Sequence, residues 1–243
     1  MGDWAVPGYT DVRELGHHDA ARTVLAIHSA TGLPVAIRYL ADTLCQDADY
    51  LAGYREDARL VAGVESPNIA EMYEYVESGH GVATVREFVG GASLRKVLPA
   101  SGLGPAAALS VLKAGLLGLA AAHERGVTHR SYKPDNMLID AAGRAKLSDF
   151  AMAGDRSTGS TGAEDVRAAF ATFTRCLAGS GARSAELPKK MRGLTGPGTD
   201  GDAPALLTAL DTAGRASAGT DWEAKGRKLL ATLVNRSHRR GGG

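Results

Sequence analysis

Eight consecutive residues, His129-Arg130-Ser131-Tyr132-Lys133-Pro134-Asp135-Asn136, gather an imidazole, a guanidinium, two hydroxyls, an ammonium, a carboxylate and a carboxamide, and Asp149-Phe150-Ala151 follows soon after. If the chain does chemistry, this is the stretch with the groups for proton transfer or anion binding. The Ser131 hydroxyl is not one of the groups that can take up a proton near neutral pH. His129 reads as a packed, hydrogen-bonded residue rather than an acid or base. Elsewhere His17 and His18 could bind a metal or sense pH, but two adjacent histidines without further ligand spacing read as solvated loop residues. Cys45 and Cys176 lie far apart and form neither a metal-type cluster nor a disulfide framework.

The elements that must position these groups change character midway. From Gly8 to Glu87 the pattern favours strands: Thr23-Val24-Leu25-Ala26-Ile27 and Pro34-Val35-Ala36-Ile37-Arg38 flank Ala30-Thr31-Gly32 as a hairpin. Leu51, Tyr54, Ala58 and Val61 recur at helical spacing, so one helix between Asp47 and Gly63 interrupts the strands. Ile69 to Val76 and Gly81 to Phe88 read as two further strands, and Val89-Gly90-Gly91 punctuates the chain as a boundary. Beyond it Leu109, Leu112, Leu116, Leu119 and His123 stripe a helix from Pro105 to Gly126, which delivers the chain to His129. Met137 to Asp140 and Ala145 to Leu147 are short strands about Ala142-Gly143. Val166 to Leu177, Ala205 to Ala213 and Trp222 to Val234 are helical, with a long loop between Gly179 and Pro204.

With these elements in order, the chain resembles bacterial serine/threonine protein kinases over residues 7 to 235. The resemblance implies an α+β, bilobal protein-kinase-like fold with a small β-rich N-lobe (1–90) and a helical C-lobe (91–235), the activation segment shortened and the C-lobe reduced. Residues 236–243 are expected to be a flexible basic and glycine tail. In the family a carboxylate stands where Ser131 stands and takes the proton of the attacking hydroxyl. Asn136 and Asp149 occupy the two magnesium-holding positions, and Gly16, Glu87 and Lys133 complete a vestigial nucleotide site. His18 and Ala21 fall where the family has its second and third phosphate-loop glycines, which costs close backbone approach. Arg38 replaces the phosphate-holding lysine, and its helix partner falls at Asp57; the two could form a bidentate bridge in the phosphate site, or Asp57 could be a solvated carboxylate with Glu56 the true partner. Ala151 replaces a glycine and restricts the backbone beside Asp149. Asp165 matches the aspartate opening the large C-lobe helix, or simply caps it. No Ala-Pro-Glu follows Met152 to Gly162, so the platform for protein substrates is missing, and Arg130 has no evident client.

Five losses against two retentions imply a catalytically inactive pseudokinase rather than an enzyme, with ATP and magnesium binding weak or absent, used as a protein-binding scaffold in bacterial signalling or cell-envelope regulation. Restoring a carboxylate at Ser131 alone is then not expected to restore activity. The alternatives are a weak or atypical ATP-dependent serine/threonine kinase and a nucleotide-binding sensor without turnover. The Ala/Gly/Arg-rich composition resembles actinobacterial proteins, which implies as partner a phosphothreonine-reading, forkhead-associated protein or a true kinase acting on Thr158 and Thr161, unless that segment is merely a soluble loop.

The 243 residues, 44% hydrophobic, suffice for a sizeable core, and a net charge of +1 argues against nucleic acid or an anionic membrane as the main partner. The most apolar run, Ala106 to Ala122, is interrupted by Lys113 and reads as a buried helix. A cytoplasmic setting is expected, with any membrane attachment lying outside this chain.

Overall fold

The alternating pattern of residues 9–40 builds an antiparallel sheet rather than isolated hairpins. In the computed structural model, which describes residues 4–18, 20–150, 161–181, 187 and 203–240, the chain divides into two units. The described part of the first holds residues 4–18, 20–65 and 70–88. It contains β1 (Tyr9–His18), β2 (Ala21–His28), β3 (Pro34–Leu40), α1 (Asp42–Cys45), α2 (Ala48–Ala62), β4 (Met72–Ser78) and β5 (Gly81–Glu87). The strands run in the order β1-β2-β3-β5-β4, every neighbouring pair antiparallel. Val24, Ala26, Val35, Ile37, Ala83 and Val85 project from one face into a common core with Val6 and Tyr39. The expected β2–β3 hairpin is closed by His28 donating to the Leu33 carbonyl at 2.9 Å and Gly32 to that of His28 at 2.8 Å. Asp47 caps α2, its carboxylate accepting from the Tyr50 amide at 2.9 Å. Tyr54, Asp57, Ala58 and Val61 form the buried face of that helix.

The second unit, residues 66–69, 89–150 and the described part of 159–243, is mainly helical. A small sheet of β6 (Gly91–Ser93), β7 (Met137–Asp140) and β8 (Ala145–Leu147) accompanies α3 (Leu94–Val97), α4 (Pro105–Glu124), α5 (Gly162–Leu177), α6 (Ala203–Ala218) and α7 (Trp222–Arg240). Helix α4 packs against α5, α6, α7 and β8. Its length and apolarity would suit a bilayer, yet about two thirds of it is buried inside the unit, as expected of a core helix. Close packing against α7 depends on Gly226, where a Cβ would lie 2.4 Å from the Ala106 carbonyl oxygen.

Two expectations are corrected here. Ile69 does not open a strand of the first unit: it bridges Leu147 in parallel and is buried at 2% exposure, while the Leu147 amide donates to the Asn68 carbonyl at 2.7 Å. Its side chain finds its apolar environment in the helical unit, and β4 begins only at Met72. The tail expected from 236 instead continues α7 to Arg240. Trp222, Gly226, Leu230 and Val234 recur every four residues and are buried, so the helix is held on its apolar side while Lys225, Arg227, Lys228, Arg236 and Arg239 are exposed.

Candidate active site

The loop after α4 is fastened from beneath by a single carboxylate. Asp165, in the first turn of α5 and 2% exposed, accepts from the backbone amides of His129 (2.6 Å) and Arg130 (2.8 Å) and pairs with His123 Nε2 (2.9 Å). Burial alone would raise its pKa; the hydrogen bonds from His123 and the two amides outweigh it and hold the group below the usual carboxylate range. Asp165 does not cap its own helix, whose N-cap residue is Thr161; the plain capping explanation is corrected, and its carboxylate holds the loop instead.

His129 is fully buried, and burial lowers its pKa to about 4, so it is neutral near pH 7. The Ser131 amide donates to Nδ1 at 3.2 Å, which leaves the proton on Nε2 to be given to the Ser148 carbonyl at 3.1 Å. Its ring packs 4.5 Å from that of Phe150. This is the structural histidine expected from the sequence. The backbone on either side is strained: Arg130 (φ 57°) and Asp149 (φ 55°) are the described non-glycine residues in the left-handed region.

Asn136 joins these segments. Its Nδ2 donates to the Ser131 carbonyl (2.8 Å) and hydroxyl (3.1 Å) and reaches the Asp149 carbonyl at 3.4 Å. Asp149 receives a bond from the Ser148 hydroxyl at 3.1 Å. Ser131, Asn136 and Asp149, singled out from sequence, are therefore neighbours. Asp135 is not a substitute base, because Arg95 of α3 binds it and that hydrogen bond holds its carboxyl below the ordinary range. Lys133 is exposed and makes no ion pair with a described residue. Beneath the loop, Gly115 of α4 admits Tyr132: a Cβ there would stand 2.1 Å from the phenolic oxygen.

The remaining singled-out residues lie in the first unit. Gly16 sits in β1 opposite Thr23, and a Cβ on it would meet open space. The β1–β2 ladder extends to His18 and Ala21, so these residues are strand ends rather than parts of an open loop, and Ala21 is buried at 3% exposure. Its methyl belongs to the packed interior, which explains why glycine is not used there. Arg38 lies half-buried in β3 opposite Thr84, and its charge acts on the Tyr50 phenol of α2. Asp57 is buried at 4% exposure while Glu56 is exposed, so the reading of Asp57 as a solvated carboxylate is corrected. The Glu87 carboxylate accepts from the Glu71 amide at 3.3 Å. Thr161 is exposed at the start of α5; Ala151 and Thr158 lie outside the described residues. Asp165 and Arg95 are the participants that sequence reasoning undervalued, and only their spacing from the loop residues within a family pattern could have signalled them.

Residues 9–173 match the family model described as Protein kinase domain. The chain is 35% identical over 145 residues to the serine/threonine-protein kinase pkn2 of Myxococcus xanthus, covering 58% of this chain and 18% of that protein. It is 31% identical over 146 residues to the serine/threonine-protein kinase PrkC of Bacillus subtilis, covering 60% and 22%. It thus spans about a fifth of the length of these relatives. The crystal structure of the Mycobacterium tuberculosis PknI kinase domain matches the fold with a TM-score of 0.71 at 22% identity, over 85% of this chain and 96% of that one. The expectation that the chain is not an enzyme is overturned by these matches: the family is that of a phosphoryl-transferring domain, and its relatives are named as kinases.

Proposed function

The chain belongs to the protein kinase domain family, and from that premise we propose that it is an ATP-dependent serine/threonine kinase domain of slow, atypical turnover. The observation that carries this reading is the built catalytic loop: Asp165 fastens the backbone of His129 and Arg130, and Asn136 ties Ser131 to Asp149. A loop with no remaining task would have little reason to sustain two left-handed non-glycine residues beside each other's hydrogen bonds.

Ser131 sets the rate rather than abolishing the chemistry. Phosphoryl transfer passes through a loose transition state in which positioning and electrostatics do most of the work. A positioned general base contributes about 10²- to 10⁴-fold, so its loss takes a kinase turnover of roughly 1–100 s⁻¹ to about 10⁻⁴–1 s⁻¹. With Asp135 held by Arg95, the substrate proton passes to water. Asn136 and Asp149 are the residues that would hold magnesium, which when bound neutralises charge on the phosphates. Two oxygen ligands suit that ion, which completes its shell with phosphate and water, and Asn136 Oδ1 accepts from no described residue. Lys133 offers an exposed ammonium to an anion. Arg38 and the buried Asp57 stand for the family's lysine–glutamate pair, with affinity weakened by the exchange. A cytoplasmic setting would supply ATP and keep Cys45 and Cys176 reduced, both of them free thiols here.

A thermal-shift titration with ATP, with and without magnesium or manganese, tests the grip. A ligand binding only the folded state at 100 times its Kd adds about 2.7 kcal/mol. The expected result is a metal-dependent rise in Tm that Asp149→Asn removes. No shift at millimolar ATP with either metal would overturn the proposal.

A further inference from the structure

Helix α7 carries six basic residues against one acidic residue, Glu223, in a chain whose net charge is only +1. Glu223 is itself taken by Lys113 of α4 at 2.7 Å. The buried side of the helix, Trp222, Gly226, Leu230 and Val234, faces its own unit, so the exposed side has a fixed composition. Lys225, Lys228, Thr232, Arg236 and Arg239 follow one another at steps of three and four residues along that side, a straight row about 20 Å long at 1.5 Å per residue. Lys225 pairs with Asp221 at 2.7 Å. Lys228, Arg236 and Arg239, like Arg227 outside the row, make no ion pair with a described residue. Leu229 borders this row, four residues after Lys225 and three before Thr232, and is 48% exposed.

We propose that this face of α7 docks on an anionic phospholipid surface. The charge is complementary to a plane of phosphate and carboxylate headgroups, and a row held rigidly on a folded unit can meet such a plane along its length. Leu229 distinguishes this occupant from a nucleic acid: an apolar side chain among the cations gains by entering the headgroup region and gains nothing against a phosphate backbone. Base stacking has no platform either, because the aromatic residue of the helix, Trp222, is 1% exposed. The inference is independent of the catalytic reading, since none of these residues belongs to the loop around Ser131. It also departs from the expectation that membrane attachment lies wholly outside this chain.

The full chain is sedimented with vesicles of phosphatidylcholine alone and of phosphatidylcholine with phosphatidylserine. Partition onto the serine-containing vesicles alone, falling as ionic strength rises, is expected. Each basic side chain near such a surface contributes about fivefold, so Lys228→Gln/Arg236→Gln/Arg239→Gln is expected to lower partition by about 100-fold. These side chains are exposed, so the variant should keep the wild-type Tm. A control with Arg13→Gln and Arg59→Gln, exposed in the other unit, should partition as wild type. Equal partition onto both vesicle types, wild-type behaviour of the triple variant, or an equal loss in the control would overturn the proposal. So would retention of duplex DNA by the row without binding to vesicles.

Discussion

Replacing Asp165 by asparagine removes one charge and changes almost no volume, which isolates the anchor of the catalytic loop. In the native protein one carboxylate oxygen serves His123 and the His129 amide, and the other serves the Arg130 amide. Asparagine can keep the first oxygen but must present an NH₂ group to the Arg130 N–H, leaving two buried donors facing each other. Hydrogen bonds to a charged acceptor contribute about 1.5–3 kcal/mol each and neutral ones about 1 kcal/mol, so one bond is lost and two are weakened. Set against the smaller desolvation of the neutral amide, the net loss is about 2–3 kcal/mol. Guanidinium chloride unfolding should report that loss, and amide exchange at His129 and Arg130 should accelerate by about 30- to 150-fold, tenfold for each 1.4 kcal/mol. As comparison, Asp135→Asn breaks an exposed pair and should cost under about 1 kcal/mol. If Asp165→Asn stays within about 0.5 kcal/mol of wild type with amide protection unchanged, the anchoring argument is wrong.

Acid should destabilise the protein before its carboxylates titrate. His129 is held neutral with a pKa of about 4 against 6.5 for the unfolded chain, so the unfolded state takes up a proton first and stability falls as pH drops from about 6.5 to 4, by about 3 kcal/mol in all. His129→Gln should flatten that part of the stability profile measured by urea unfolding, and an unchanged slope would count against it. Gly115→Ala drives a methyl into the Tyr132 phenol and should cost about 1–3 kcal/mol. Tyr132→Phe, which removes a buried hydroxyl without a hydrogen-bond partner among described residues, should be neutral or stabilising by itself and should recover part of that loss, as read from Tm. Ser131→Asp should raise steady-state phosphoryl transfer by about 10²- to 10⁴-fold. That reverses the expectation drawn from an inactive site, and no rise would mean that the base is not what limits turnover.

Local order was legible in the sequence where one residue decides it. Alternation in Val35–Arg38 marked β3, Asp47 marked the start of α2, and Pro105 that of α4. The catalytic loop was legible for the same reason: Ser131 and Asn136 are five residues apart, and a loop short enough to be read as a motif must bring them together. Contacts that cross the chain were not. Asp165 is 36 residues from His129 and looks from sequence like any acidic residue in a first helical turn. Gly115 looks like a weak point in a helix until Tyr132 is seen against it. Ile69 carries strand character that fits either unit, and only the partner strand at Leu147 decides. The basic run at 236–240 reads as a solvated tail, which fits the exposed side chains of Arg236 and Arg239 but not the backbone, which is helical. The expectation that the chain is not an enzyme came from counting residue identities lost from a pattern, and the matches to a kinase domain and to named kinases overturn it; such a count does not weigh how much of phosphoryl transfer rests on positioning.

Phosphoryl transfer itself is the most direct test. Purified full chain is incubated with γ-labelled ATP, magnesium or manganese and a serine- and threonine-containing protein substrate, and label on serine and threonine is followed over hours beside Asp149→Asn. Slow, metal-dependent incorporation that Asp149→Asn abolishes is the predicted result. Absence of label in the wild type under conditions where ATP binding is saturated, or label that persists in Asp149→Asn, would contradict it.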